Sequence, residues 1–147
     1  MIRIENNVII NENIDKVFEV SVDFERYPEF LPIYKEVKIL EKQGDKMIVE
    51  RKSIVGKKEV KWRSSVIIEP NKSITAEQLE GPIPGMKIEW LFEEIAGKTK
   101  ITLIHNFEYK KIPVIGHIIG KLIVAKIVCK MAEETLRGIK AKIEERK

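Results

Sequence analysis

The sequence predicts an α+β fold in which a curved antiparallel sheet of seven strands wraps around one long C-terminal helix. Three patterns lead to this prediction. Short apolar runs alternate with turn signals between residues 34 and 109. A single apolar stripe then recurs at helical spacing. Two short helical patterns separate the first strand from the others. With 147 residues and no linker or repeat, the chain is expected to form one domain, residues 1–147.

The N-terminal segment predicts one strand and two short helices. Apolar residues within 2–10 fit a strand, and Asn11 or Asn13 then offers a side chain that caps a free backbone N–H at a helix start. Apolar positions within 14–22 recur at helical spacing. A second short helix is expected around 24–31, where two prolines limit its length.

The middle of the chain predicts a meander of six strands. Each connection is short and rich in turn-forming residues, which favours antiparallel hairpins. The expected strands are 37–40, 47–55, 60–69, 74–80, 86–95 and 99–109. Together with the N-terminal strand they make a sheet of seven.

The C-terminal segment predicts one helix of about thirty residues, or roughly 45 Å. Pro113 can begin it, because proline lacks an N–H that would have no partner there. Between Ile115 and Met131, apolar side chains cover nearly the whole circumference of the helix. Either other parts of the chain cover this half, or it exposes a patch to a ligand, a peripheral membrane surface or a protein partner. The expected apolar stripe comprises Ile118, Leu122, Ala125, Cys129, Ala132, Leu136, Ile139 and Ile143.

The inner face of the sheet is rich in aromatic residues, which fits either ordinary core packing or the wall of a ligand pocket. The polar side chains of Ser64, His105 and Tyr109 within this apolar set favour a pocket, because small-molecule sites combine an apolar wall with a few polar groups. The predicted ligand-pocket residues are Arg51, Trp62, Ser64, Met86, Ile88, Trp90, Phe92, Leu103, His105, Phe107, Tyr109, Ile118 and Leu122.

Arg51 is the one charged member of this set. If the strand face that it shares with Met47 points inward, Arg51 reaches into the pocket and can bind an acidic or carbonyl group. In the opposite register, Arg51 lies on the surface. Both registers fit the sequence.

An apolar loop between two strands is the predicted gate of the pocket. It comprises Gly81, Pro82, Ile83, Pro84 and Gly85, so prolines stiffen it and glycines permit unusual dihedral angles at its ends. The alternative is a rigid hairpin turn.

The sequence offers few candidates for catalysis. It has no phosphate-binding loop and no dinucleotide fingerprint, and its two histidines lack metal-ligand spacing, so no metal and no cofactor are expected. Three roles fit His105: a buried polar group, a general acid or base, or a metal ligand. For the catalytic role it is a weak candidate. Cys129 lies on the apolar stripe, which favours an inert buried thiol over a nucleophile.

Charge and cysteine usage limit the classes of partner. The chain has 27 basic and 23 acidic residues, a net charge of +4, and no run of five like charges, so no DNA partner is expected. A single cysteine excludes internal disulfides. The N-terminal residues lack the pattern of a secretory signal, so we expect a cytoplasmic location. The sequence gives no oligomeric state.

Several local motifs resemble the START-related helix-grip (SRPBCC) superfamily, which includes polyketide cyclases/aromatases, ubiquinone-binding proteins and birch-pollen-allergen-like proteins. The segments 14–20 (IDKVFEV) and 23–32 (DFERYPEFLP) resemble its helical entry segment. The segments 60–64 (VKWRS), 85–92 (GMKIEWLF) and 97–102 (GKTKIT) resemble its later strands. The resemblance covers essentially the whole chain and is nearest to the polyketide cyclase/dehydrase and ubiquinone-binding branch.

This resemblance implies a pocket between sheet and helix for a hydrophobic ligand such as a lipid, isoprenoid, quinone or polyketide, but it implies no reaction. The leading hypothesis is therefore a carrier of an apolar small molecule. The second is a cyclase/aromatase-type enzyme that uses His105. The third is an interaction module, because some members of the ubiquinone-like branch act on ribosomes or membrane complexes.

Overall fold

The structure, a computed structural model, describes the backbone of residues 1–108 and 118–145, and the side chains of the same residues except 118–121. The strands are β1 (Ile2–Ile10), β2 (Tyr34–Gln43), β3 (Lys46–Val55), β4 (Lys58–Glu69), β5 (Ser73–Glu80), β6 (Lys87–Ile95) and β7 (Lys98–Phe107). The helices are α1 (Ile14–Val22), a 3-10 turn (Phe24–Arg26), α2 (Tyr27–Phe30) and α3 (Ile118–Glu144).

These strands form one antiparallel sheet in the order β1-β7-β6-β5-β4-β3-β2. Hairpins join consecutive strands from β2 to β7, and β1 pairs with β7 from Ile2 opposite Phe107 to Ile10 opposite Thr99. Irregular register in β2 and between Arg63 and Ser64 of β4 helps the sheet curve, because a bulge bends the strand that carries it. The seven-stranded curved sheet and long C-terminal helix confirm the predicted fold class.

Helix α1 begins where the sequence offers a cap. The side chain of Asn13 accepts a hydrogen bond from the backbone N–H of Lys16 at 3.0 Å, so Asn13 is the N-cap. Asn11 instead donates its backbone N–H to the carboxylate of Glu144 at 2.9 Å. One candidate cap thus starts α1, and the other ties the first strand to the end of α3.

The second half of α3 is clamped onto the sheet. Lys140 donates from Nζ to the backbone oxygen of Ile9 at 2.6 Å. The buried side chains on this half are Ala132, Thr135, Leu136, Ile139 and Ile143, which follows the predicted stripe from Ala132 onward.

In the first half of α3, the phase of the predicted stripe is wrong. Leu122 is 60 % exposed, Ala125 and Cys129 are only partly buried, and Val128 is the buried residue. Because nearly every position between Ile115 and Met131 is apolar, the sequence pattern carries no information on which side faces inward. The predicted start of the helix at Pro113 lies outside the described residues.

The core consists of two clusters of buried side chains. The larger joins α1, α2 and the second half of α3 to the sheet, with Val17, Phe24 and Leu136 among its members. The smaller contains Ile83, Met86, Phe107 and Val128, where the β5–β6 loop meets α3. Between them, the concave face of the sheet and α3 enclose a cavity.

Candidate functional site

A cavity of about 290 Å³ lies between the sheet and the first half of α3. Apolar side chains from β3 to β7 make most of its wall, and Val124, Ile127, Val128, Met131 and Ala132 of α3 close the other side. Apart from two indole rings, the polar side chains on the wall are Tyr27, Tyr34, Arg51, Gln78, His105 and Thr135. An apolar enclosure with few polar groups is the usual composition of a small-molecule site.

Most of the predicted pocket residues lie on this wall. They are Arg51, Trp62, Met86, Ile88, Trp90, Leu103 and His105, together with Pro82 and Ile83 of the predicted gate loop. Gly81, Pro84 and Gly85 do not line the cavity. Tyr109 and the side chain of Ile118 lie outside the described residues.

Four other predicted pocket residues lie away from the cavity wall. Phe92 packs into the core against Phe18, with ring centroids 4.8 Å apart, while Phe107 belongs to the small cluster beneath the β5–β6 loop. Ser64 is fully buried in β4 without lining the cavity. Leu122 points outward from α3. Strand alternation identifies the inner face, but it does not distinguish side chains that fill the core from those that border a cavity.

Arg51 faces inward from β3. Its neighbours on the same strand face, Met47, Val49 and Ser53, are all buried, and it stands between Val37 and Trp62 on the adjacent strands. Its guanidinium carbon lies 5.4 Å from the centroid of the Phe24 ring. Of the two registers that the sequence permits, the structure has the one that directs Arg51 into the cavity.

No carboxylate within the described part of the chain lies within ion-pair distance of Arg51. The adjacent residue Glu50 faces the other side of the sheet and binds Arg63 at 2.7 Å. That hydrogen bond lowers the pKa of Glu50. Glu50 and Lys52 on the outer face of β3 are therefore ion-paired, whereas Arg51 on the inner face is not.

Aromatic rings surround the Arg51 end of the cavity. Tyr27 lies 5.6 Å from both Phe24 and Tyr34, and Tyr34 lies 6.3 Å from Trp62, measured between ring centroids. The hydroxyl of Tyr27 donates to the backbone oxygen of Ser21 at 2.5 Å. Burial and the neighbouring Tyr34 raise the pKa of Tyr27 far above its usual range, so its hydroxyl stays protonated.

His105 supplies the polar group on β7. It stands between Ile88 on β6 and Ile4 on β1. Burial lowers the pKa of His105 to about 4, so its imidazole is neutral at pH 7. Its Nδ1 atom is buried and has no hydrogen-bond partner among the described residues. His105 and Arg51 are four strands apart, about 19 Å along the curved sheet.

The β5–β6 loop is held by Gln78, which the sequence analysis missed. Gln78 is buried, and its side-chain oxygen accepts the backbone N–H of Ile83 at 2.6 Å. Its backbone oxygen accepts the N–H of Gly85 at 2.8 Å. At Gly81, with φ at +139°, a Cβ would lie 2.5 Å from that of Trp62. These contacts describe an anchored turn, and the gate role stays a prediction.

Alternation along β5 was the signal for Gln78, because Ile74, Ala76 and Gln78 share one strand face. Cys129, by contrast, lies off the cavity wall. Its sulfur accepts a hydrogen bond from Asn6 at 3.5 Å and donates one to Glu133 at 3.6 Å.

The sequence matches the family described as polyketide cyclase / dehydrase and lipid transport over residues 10–132. The chain belongs to this family. The family description names no ubiquinone binding, so that branch stays a prediction. A fold of this family holds hydrophobic ligands, in accord with the apolar cavity.

The chain is also similar in sequence to a protein with a different name. It is 30% identical over 94 residues to the ribosome association toxin RatA of Pseudomonas aeruginosa. That match covers 63% of this chain and 65% of the relative, which is less than two thirds of the relative's length.

Two solved structures share the fold. The Zhui aromatase/cyclase from a Streptomyces species has a TM-score of 0.88 and 23% identity, and the match covers 99% of this chain and 94% of that one. A START superfamily protein from Mycobacterium smegmatis has a TM-score of 0.82 and 16% identity, with 99% of both chains covered. At these sequence identities the structural likeness shows the fold only, so the function must be argued from the cavity.

Proposed function

We propose that the protein binds and carries a small hydrophobic molecule whose anionic or carbonyl end group lies against Arg51. The main support for this proposal is an arginine on the wall of an apolar cavity, with no carboxylate partner among the described residues. A cation in apolar surroundings is costly unless an acceptor compensates it, and a guanidinium offers a planar fork that fits a carboxylate.

The rest of the wall would supply most of the affinity. Trp62, Trp90 and Leu103 present apolar surface, and its burial contributes about 25 cal/mol per Å². The ring of Phe24 lies against the guanidinium of Arg51 and restricts its side chain, so less conformational entropy is lost on binding. We expect a slender chain or a small ring system, because the cavity volume is about 290 Å³.

The test compares two probes that share a chain but differ in the end group, decanoate and 1-decanol. Binding is followed by native mass spectrometry and by the fluorescence of the wall residues Trp62 and Trp90. We expect decanoate to bind more tightly than 1-decanol. In Arg51→Met the ratio of the two affinities should fall by roughly tenfold or more. Lys52→Met is the matched control, because Lys52 is the next residue on β3 and pairs with Glu36 on the outer face.

An equal affinity for both probes, or an unchanged preference in Arg51→Met, would refute the role of Arg51. Incubation with a total lipid and quinone extract then addresses ligand identity. A discrete added mass that is released on unfolding identifies the chemical class. No added mass from any extract, with no decanoate binding, would count against a carrier.

A cyclase-type enzyme is the second candidate, and His105 is the observation that favours it. A neutral imidazole on the cavity wall can accept a proton at pH 7. A pKa of about 4 makes it a weak base, however, which is why we place binding first. Turnover of a polyketone probe that falls at least a hundredfold in His105→Ala would establish the enzyme, whereas unchanged turnover would remove His105 from the mechanism.

A further inference from the structure

The exposed side of α3 combines apolar and basic side chains. Leu122, Ile123 and Ile127 are 60%, 52% and 36% exposed, and Lys126 and Lys130 are exposed between and beyond them. At about 100° per residue these five positions span roughly 140° of the helix circumference. We call them the α3 outer face. Large apolar side chains on an outward helix face require an explanation, because such positions are normally polar.

The charge of the chain is segregated in the same region. Residues 109–132 contain five of the 27 basic residues and none of the 23 acidic ones. The remaining 123 residues therefore hold 22 basic and 23 acidic side chains and are slightly acidic. The net positive charge of the whole protein thus comes from its most apolar stretch. The first acidic residue of α3 is Glu133, which follows the outer face.

Lys126 and Lys130 form no ion pair with any residue that the structure describes. Further along the helix the pattern changes, since Arg137 pairs with Glu133 at 3.7 Å and Lys140 with Glu144 at 2.9 Å. Arg137 and Lys140 are thus ion-paired, whereas the two lysines of the outer face are not.

The α3 outer face borders the cavity. Ile127 is exposed and also lines the cavity wall, together with Val124 and Val128 from the inner side of the same helix turns. A surface that covered the outer face would therefore lie next to the cavity wall that Ile127 forms.

We propose that the α3 outer face docks the protein on an anionic lipid surface. Apolar side chains flanked by unpaired lysines match the boundary between acyl chains and negative headgroups, where lysine stems bury while their ammonium groups reach the headgroups. An RNA surface offers charge but no apolar phase for Leu122 and Ile123. Docking rests on exposure and charge alone; loading of the cavity from the membrane rests in addition on the proposed function.

No helix within the described residues has the length and apolar content to cross a bilayer. On a lipid surface α3 would lie in the plane of the interface, as amphipathic segments do.

The test is flotation with phosphatidylcholine vesicles and with vesicles of equal parts phosphatidylcholine and phosphatidylglycerol. We expect binding to the anionic vesicles only, and weaker binding as salt rises. Lys126→Gln with Lys130→Gln should weaken binding by roughly 25-fold, at about fivefold for each lysine. Leu122→Gln with Ile123→Gln should weaken it at least tenfold, at about 25 cal/mol per Å² of lost apolar burial, while glutamine preserves helix propensity.

Matched controls change the same number of charges or exposed apolar residues elsewhere. Lys42→Gln with Lys46→Gln alters exposed lysines at the β2–β3 turn. Ile67→Thr with Ile95→Thr alters apolar residues that are 48% and 40% exposed on the sheet. Both controls should bind anionic vesicles like the wild type, and circular dichroism verifies that every variant is folded.

Three results would overturn the proposal: no binding of the wild type to anionic vesicles, equal losses in the controls, or unchanged binding in both α3 variants. Binding to RNA or ribosomes through Lys126 and Lys130, without vesicle binding, would also overturn it and assign the face to another partner. Decanoate binding is measured in each variant. Retained decanoate binding with no vesicle binding refutes docking and leaves the carrier function intact.

Discussion

Gly138 of α3 lies directly against the side chain of Leu31, which follows α2. A Cβ at residue 138 would come within 2.1 Å of the Leu31 Cδ2 atom and 3.4 Å of the Phe30 backbone oxygen. Leu31 is almost completely buried. The close approach therefore sets how tightly the long helix closes on the short helices that follow β1.

We expect Gly138→Ala to destabilise the protein by up to about 2 kcal/mol. Alanine favours a helix over glycine by about 1 kcal/mol, but overpacking a buried contact costs about 1–3 kcal/mol. In a Leu31→Ala background the obstacle is gone, so Gly138→Ala should become stabilising by about 0.5–1 kcal/mol. Urea denaturation of the four proteins measures this coupling. A stabilising Gly138→Ala in the wild-type background would contradict the contact.

The order of strands β2 to β7 could be predicted from local sequence, because turn-forming residues mark each hairpin. The five connections between β2 and β7 are all short, and antiparallel pairing follows from their length. The pairing of β1 with β7 joins residues about a hundred positions apart, such as Ile2 and Phe107. No local signal reports such a pair, so the sequence predicted seven strands but not how the sheet is completed.

Facing is where the prediction of the site reached its limit. Both sides of β3 carry apolar and charged residues, so alternation left two registers for Arg51. Only packing against α3 and the short helices after β1 selects one. In α3, apolar residues around Leu122 and Val128 occur on all sides of the helix. The helical periodicity of the sequence therefore does not indicate which side is buried there. A continuous pattern of one residue class cannot encode which side is buried.

Gln78 shows why a buried polar anchor is hard to foresee. A glutamine in a strand is normally on the surface, and its burial is favourable only because the N–H of Ile83 reaches it. We expect Gln78→Leu to lower the free energy of unfolding by about 1–3 kcal/mol, since that N–H loses its partner while the volume is preserved. Hydrogen exchange at Ile83 should accelerate as well.

The chain contains a matched control for that experiment. Gln43, at the end of β2, is exposed, and Gln43→Leu should change stability by no more than about 0.5 kcal/mol. Equal effects of the two substitutions would show that the Gln78 side chain does not hold the loop.

Two buried serines on adjacent strands provide a second comparison. Ser53 on β3 donates its hydroxyl to the backbone oxygen of Ile33, whereas the Ser64 hydroxyl on β4 has no partner among the described residues. We expect Ser53→Ala to cost about 1 kcal/mol, since Ile54 still donates to that oxygen at 3.2 Å. Ser64→Ala should be neutral or stabilising by up to about 1 kcal/mol, because it removes an unpaired buried hydroxyl.

Thermal and urea denaturation measure both serine variants. Ser64 also belonged to the predicted pocket, and it lies off the cavity wall. Decanoate binding should therefore be unchanged in Ser64→Ala. A loss of stability above about 1 kcal/mol in Ser64→Ala would reveal a hydrogen bond of that hydroxyl.

His105 makes the stability of the protein depend on pH in a definite direction. Burial lowers its pKa from 6.5 in the unfolded chain to about 4 in the folded protein, so the folded state binds fewer protons between these values. The contribution of the neutral imidazole to the free energy of unfolding is complete above pH 6.5 and is lost as the pH falls toward 4. Because the ring borders a cavity, we expect His105 to account for about 1–2 kcal/mol of lost stability between pH 7 and pH 5. Urea denaturation of wild type and His105→Phe at both pH values isolates this share, since the carboxylates titrate in both proteins. An identical pH dependence in the two proteins would show that the imidazole is not desolvated.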